Sequence, residues 1–205
     1  MKKLIALLYF MVGGSLIMFT LSLMGCEAGR YKFIYKIGQS IFLQTDQYNG
    51  QTTVTDTVQF ENMILEQNLS YEILTAANLH LDNNTLYAWQ YGNPSYTPVE
   101  KLTEIKIYTL NGYNSVYSTG SEITANCKFF TNNDDYNSNE NDSSATWVLK
   151  QLNKTLSSSS IEGRPIYIFF TQPPSSGSLQ QFEIDIRTEN NEILRQTTPA
   201  IFIKP

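Results

Sequence analysis

Three observations predict a mainly β chain, an antiparallel immunoglobulin-like β-sandwich with one short helix. Short segments alternate apolar and polar side chains, most strictly at 102–110 and 181–188. Turn signals separate such segments, the clearest being Asn49-Gly50, Asn111-Gly112, Pro173-Pro174 and Asn190-Asn191. Apolar residues recur convincingly at helical spacing over 145–156 alone.

The chain opens with Lys2 and Lys3, a mostly apolar run from Leu4 to Met24, and then Leu23-Met24-Gly25-Cys26. A basic start, an apolar core and a small residue directly before a cysteine make a secretory signal. The four residues resemble the lipobox of bacterial lipoproteins, which places cleavage between Gly25 and Cys26 and acylation on Cys26. Its thiolate is the nucleophile that accepts the diacylglyceryl group. Each buried acyl methylene then adds about 0.8 kcal/mol of membrane affinity. About 20 apolar residues also suffice to span a bilayer uncleaved, but a cysteine placed directly after Leu-Met-Gly favours the lipid anchor. The expected organisation is a signal peptide at 1–25, a lipidated tether at 26–30 and one β-sandwich domain at 31–205.

Residues 26–205 carry 12 basic against 19 acidic side chains, a net charge of −7. That sign repels nucleic acid and anionic headgroups, so a nucleic-acid partner is not expected. With Cys26 acylated, Cys127 is the one thiol left, so no internal disulfide forms and the fold rests on its core. Cys127 sits in the alternating stretch 123–129, where a small buried apolar residue is the simplest reading. Pairing it with His80, the only histidine, would make a thiol nucleophile and base, but neither has a supporting motif.

Taken in order, the elements begin at 31–37, a strand with Tyr31, Phe33, Tyr35 and Ile37 on one face and Lys32, Ile34 and Lys36 on the other. Segments 40–48 and 51–60 flank Asn49-Gly50 and form a hairpin with a two-residue turn, with a mobile loop at 45–57 as the competitor. Residues 62–81 read as strand, although 72–77 also suits a helical turn. A strand at 85–91 aligns Tyr87, Trp89 and Tyr91 on one face. Residues 96–99 are expected to be irregular because Pro98 offers no amide to a ladder. The strand at 102–110 sets Ile105, Ile107 and Thr109 against Glu104, Lys106 and Tyr108, and a further strand follows at 123–130.

Residues 131–144 have almost nothing to bury and read as a solvated loop. Asp135, Asn137, Asn139 and Asn141 have the alternate spacing of a calcium loop, but Glu140 stands where that pattern needs Gly and Thr146 where it needs Glu. No metal site is expected. Ser143 or Ser144 caps the helix, whose apolar face is Val148, Leu149, Leu152 and Leu156, and 157–160 is a flexible joint. The run 166–171 is apolar on both faces and reads as a central strand. Residues 181–188 have one wet face with Glu183, Asp185 and Arg187, Asn190-Asn191 turns the chain into 192–196, and 201–203 ends it as an edge strand.

The lipobox together with Glu100 to Thr109, Ile168 to Pro174, Gln181 to Ile184 and Thr198 to Ile203 resembles a family of small lipoproteins of Bacteroidetes. The resemblance brings no activity and no functional residues. It implies a Gram-negative envelope and an outer-membrane destination. The tether offers only Glu27 where surface export in that group goes with an acidic cluster, so the periplasmic face is favoured over the cell surface. Asp56-Thr57-Val58 resembles the O-glycosylation triplet of that group, which would put Thr57 on an exposed loop.

No Gly-rich phosphate loop, zinc spacing or dinucleotide signature appears, and no acidic pair stands out from the charged strand faces, so neither an enzyme nor a cofactor is expected. The leading expectation is a non-catalytic lipid-anchored envelope protein, held to the membrane through Cys26, that binds or scaffolds another envelope component. The alternative is a surface-exposed accessory lipoprotein that binds glycans, stacking sugars on Tyr87, Trp89 and Tyr91; core packing explains the same stripe more simply.

Overall fold

A computed structural model describes residues 30–45, 52–74, 95–131, 143–154, 156–157 and 163–205. Its strands are β1 (Arg30–Thr45), β2 (Thr52–Val54), β3 (Thr57–Gln59), β4 (Met63–Leu74), β5 (Ser95–Pro98), β6 (Leu102–Thr109) and β7 (Cys127–Phe130). After the helix α1 (Ala145–Leu152) come β8 (Leu156–Ser157), β9 (Ile166–Phe170), β10 (Ser178–Gln180), β11 (Phe182–Thr188), β12 (Ile193–Thr197) and β13 (Ile201–Lys204). The protein is mainly β, with sheets packed against one another as in a sandwich.

The first sheet has the order β7-β9-β4-β1-β5-β8, with β2 also on β1; β10-β13-β3 and β12-β11-β6 are the other two. Most ladders are antiparallel, while β1·β5 and β3·β13 are parallel. β1 carries aromatic residues at alternate positions, and the rings of Phe33 and Tyr35 go into the core, where both meet Tyr71 of β4. β6 and β11 hide Ile105, Ile107, Thr109, Phe182, Ile184 and Ile186 and leave their charged partners outside, as their alternation requires. The sheets meet at Phe182, whose ring centroid is 4.7 Å from Phe170, 6.0 Å from Tyr113 and 6.3 Å from Phe42.

β1 and β4 are continuous across an irregularity. The register shifts between Ile37 and Ser40, so Gly38 and Gln39 face only Asn68. Gln67, fully buried, repairs the break: its amide donates to Gly38 O at 2.9 Å and Asn68 O at 2.8 Å, and its Oε1 accepts from the Ser40 hydroxyl at 2.5 Å. A side chain thus replaces backbone hydrogen bonds that the bulge removes.

Several elements differ from expectation. Residues 95–98 form β5 despite Pro98, because the proline is the last strand residue and Val99 N, one step on, donates to Phe33 O at 2.8 Å. The strand expected at 123–130 starts only at Cys127. Its first residues form a 3-10 turn in which Thr124 Oγ1 accepts from Ile107 N at 2.9 Å. The helix ends at Leu152, not 156, and Leu156 pairs with Tyr96 in β8. Asn153 diverts the chain: its side-chain amide makes two hydrogen bonds to the backbone of Leu102, at 2.8 and 2.9 Å, as a strand partner would. β13 is the central strand of its sheet rather than an edge, flanked by β10 and β3.

The described β1·β2 pairs set Thr45 opposite Thr52, two residues away from the register that a two-residue turn at Asn49-Gly50 would impose. That turn and residues 85–91 lie outside the described residues. The hairpin at Asn190-Asn191 is present, with Asn191 in the left-handed region at φ 65°.

The helix is closed at both ends by named groups. Ser144 Oγ accepts from Trp147 N at 3.2 Å, and the C-terminal carbonyls of Gln151 and Leu152 accept from Arg164 Nη1 at 3.3 Å and from the Tyr35 hydroxyl at 2.8 Å. Ser144→Ala is therefore expected to cost about 0.5–2 kcal/mol. Urea unfolding would show this as a lower midpoint with an unchanged slope.

Candidate functional site

β1 gives the domain two distinguishable ends. At its start, Lys32 pairs across to Leu74 and along to Thr97, and Tyr31 pairs with Tyr96. Ten residues further on lies Phe42, about 33 Å away at ordinary strand rise. There Ile41 and Phe42 join Thr55, Asp56, Pro199 and Ala200 around an open groove of about 400 Å³.

The groove is a junction of three chain segments held by backbone hydrogen bonds. Thr55 N donates to Phe42 O at 3.2 Å and Phe202 N to Asp56 O at 2.8 Å. Thr55 Oγ1 donates to Thr57 O at 2.6 Å and accepts from Thr57 N at 3.2 Å, which stiffens the bend before β3. At the same end, Leu179 and Phe202 lie opposite one another on the wet face of β10 and β13, 56% and 37% exposed. The groove is open, with mostly apolar walls and one carboxylate, and lies beside these two exposed apolar side chains.

A second cleft, of about 90 Å³, lies between β1 and β12 and is lined by Ile34, Tyr35, Lys36, Glu100, Thr188, Glu192 and Leu194. It has room for about three waters. Lys36 is drawn to Glu72 at 3.3 Å, and the buried Thr188 hydroxyl has no hydrogen-bond partner. Desolvation pushes the Tyr35 phenol well up and Tyr71 up to about 12, so neither is a base at neutral pH.

The outer face of β6, β11 and β12 is a ladder of opposite charges. Arg195 makes two 2.7 Å bonds to the carboxylate of Asp185. Lys106 lies 3.2 Å from Glu104 and 3.9 Å from Glu122, and Arg187 is 3.3 Å from Glu104. The hydrogen-bonded carboxylates of Glu104 and Asp185 raise the pKa of Lys106 and Arg195 respectively. These charges serve one another in solvent, where screening leaves exposed pairs little weight in stability.

Gly25, Cys26, His80, Tyr87, Trp89, Tyr91 and residues 132–142 lie outside the described residues. Thr57 is not on a loop: it is the half-buried first residue of β3, at the edge of its sheet, next to the exposed Asp56. Cys127 is half-buried against the core, and its Sγ donates to Ile123 O at 3.4 Å. Burial pushes that thiol far up, so it carries no thiolate at neutral pH.

Among the described residues no cluster of His, Cys, Asp and Glu is placed to hold a metal ion, and no helix is long and apolar enough to cross a membrane. The groove residues escape sequence reasoning because Phe42 and Pro199 come from opposite ends of the chain. Phe202 leaves a signal, since it shares a strand phase with Lys204, whereas Leu179, the one apolar residue of Ser178-Leu179-Gln180, reads as an inward residue and is exposed. No family model, no curated protein and no solved structure matches this chain.

Proposed function

We propose that the protein is a lipid-anchored, non-catalytic envelope lipoprotein that binds or scaffolds another envelope component. The observation that carries this reading is the position of β1: its first residue, Arg30, stands four residues after Cys26. A diacylglyceryl group on Cys26 would hold the domain beside a membrane, with the groove end farthest from the anchor and free to meet a partner. The resemblance to small Bacteroidetes lipoproteins adds the outer membrane as the site and the periplasmic face as the orientation. Residues 31–205 then act as one sandwich of immunoglobulin-like type that presents this end.

Mass analysis of the mature N-terminus tests the anchor. The expected result is a chain beginning at an acylated Cys26, with Cys26→Ala moving the protein from the membrane to the soluble fraction. An uncleaved chain that stays in the membrane when Cys26 is replaced would overturn it. Protease treatment of intact cells tests orientation: protection until the outer membrane is opened is expected, and digestion without lysis would place the domain on the cell surface.

A further inference from the structure

We infer that the end of the first sheet where β1 begins is a membrane-contact surface, seated on the headgroups of the bilayer that holds the acyl chains. The inference rests on acylation of Cys26. Four residues of extended chain span about 14 Å, so the backbone at Arg30 cannot leave the headgroup region by more than that. The groove end, about 33 Å along β1 from Lys32, has no such constraint.

The side chains at this end suit a headgroup layer. Lys32 and Leu74 are cross-strand partners, so they share one face of the sheet, and both are exposed, Leu74 at 44%. A single exposed leucine beside a lysine is ordinary on a surface that meets only water. It is favourable where the leucine reaches toward acyl chains and the ammonium stays among phosphates. Tyr31 and Tyr96 stack at 5.1 Å with planes 19° apart. Both are half-buried in the sheet, and tyrosine is the amphipathic ring that gathers at membrane interfaces.

Charge gives the surface its direction. Residues 26–205 carry a net −7, while the basic residues Arg30 and Lys32 stand at the start of β1, and Glu72, opposite Ile34, is paired to Lys36. An anionic leaflet therefore attracts this end and repels most of the remaining surface. The tether supplies proximity, and the charge asymmetry converts it into orientation.

The test uses the full acylated protein in liposomes of phosphatidylethanolamine and phosphatidylglycerol that include a lipid with a nitroxide on its headgroup. An environment-sensitive fluorophore is attached to Leu74→Cys in one sample and to Leu179→Cys in another, each in a Cys127→Ala background. Both labelled positions are exposed, so labelling leaves the core intact. The expected result is quenching several-fold stronger at position 74 than at 179. The liposomes hold no other protein, so such a contrast comes from lipid. Equal quenching at the two positions, from a domain tumbling on its tether, overturns the contact surface and leaves the anchor standing. Absence of acyl mass on Cys26 overturns the anchor reading itself, and the contact surface with it.

Discussion

Phe182→Ala is expected to lower stability by about 3–5 kcal/mol, the range for deleting a buried aromatic ring. Phe182 is fully buried and stands where the sheets meet, with Phe42, Phe170 and Tyr113 around it. The site has little freedom to collapse. Phe182 N donates to Thr198 Oγ1 at 3.0 Å and Thr198 N donates to Phe182 O at 2.9 Å, so the backbone under the ring is pinned on both sides. The loss would be a large part of the roughly 5–15 kcal/mol that holds a typical domain together. Urea unfolding of Phe182→Ala and Phe182→Leu checks it. A midpoint close to that of the wild type for the alanine variant would mean that the sheets do not converge on this ring, whereas Phe182→Leu should fall between the two.

Gln67→Leu should have an effect of similar size for a different reason. Three hydrogen bonds end on that buried amide, and each buried partner left unpaired costs about 1–3 kcal/mol. The diagnostic is the pair. Removing the Ser40 hydroxyl in the same chain eliminates one of the stranded groups, so Ser40→Ala combined with Gln67→Leu should be more stable than additivity of the single variants predicts. Additive losses would show that the two side chains are not coupled and that the bulge at Gly38 is held by the backbone alone.

The strands most legible in the sequence are those with one wet face and one dry face. β6 and β11 could be read residue by residue because alternation encodes which side chains enter the core. β9 announced its central place through apolar residues on both faces, Ile166, Ile168 and Phe170 inward with Tyr167 and Phe169 opposite. What could not be read was anything set by a distant partner. β5 pairs in parallel with the first strand, and β13 becomes central only because β3, far earlier in the chain, lies along it. Periodicity carries no information about such neighbours. Tyr113 begins a stretch of mostly small polar residues with no periodicity, yet it is buried and its hydroxyl donates to Gln172 O at 2.8 Å. The groove was invisible for the same reason as β13, since its walls are contributed by segments that only the tertiary fold brings together.

The placement of β1 bears on how the protein would respond to being pulled. The strand closest in sequence to the proposed lipid anchor at Cys26 is also an interior strand, with β4 on one edge and both β5 and β2 on the other. Tension arriving from the tether would run along the axis of β1 and across its hydrogen bonds to β4 and β2, which lie perpendicular to the strand. Those bonds would be loaded together in shear, where an edge strand peeled sideways would lose them one at a time. A protein attached to a moving membrane at one end and to an envelope partner at the other would thus bear load along its strongest direction.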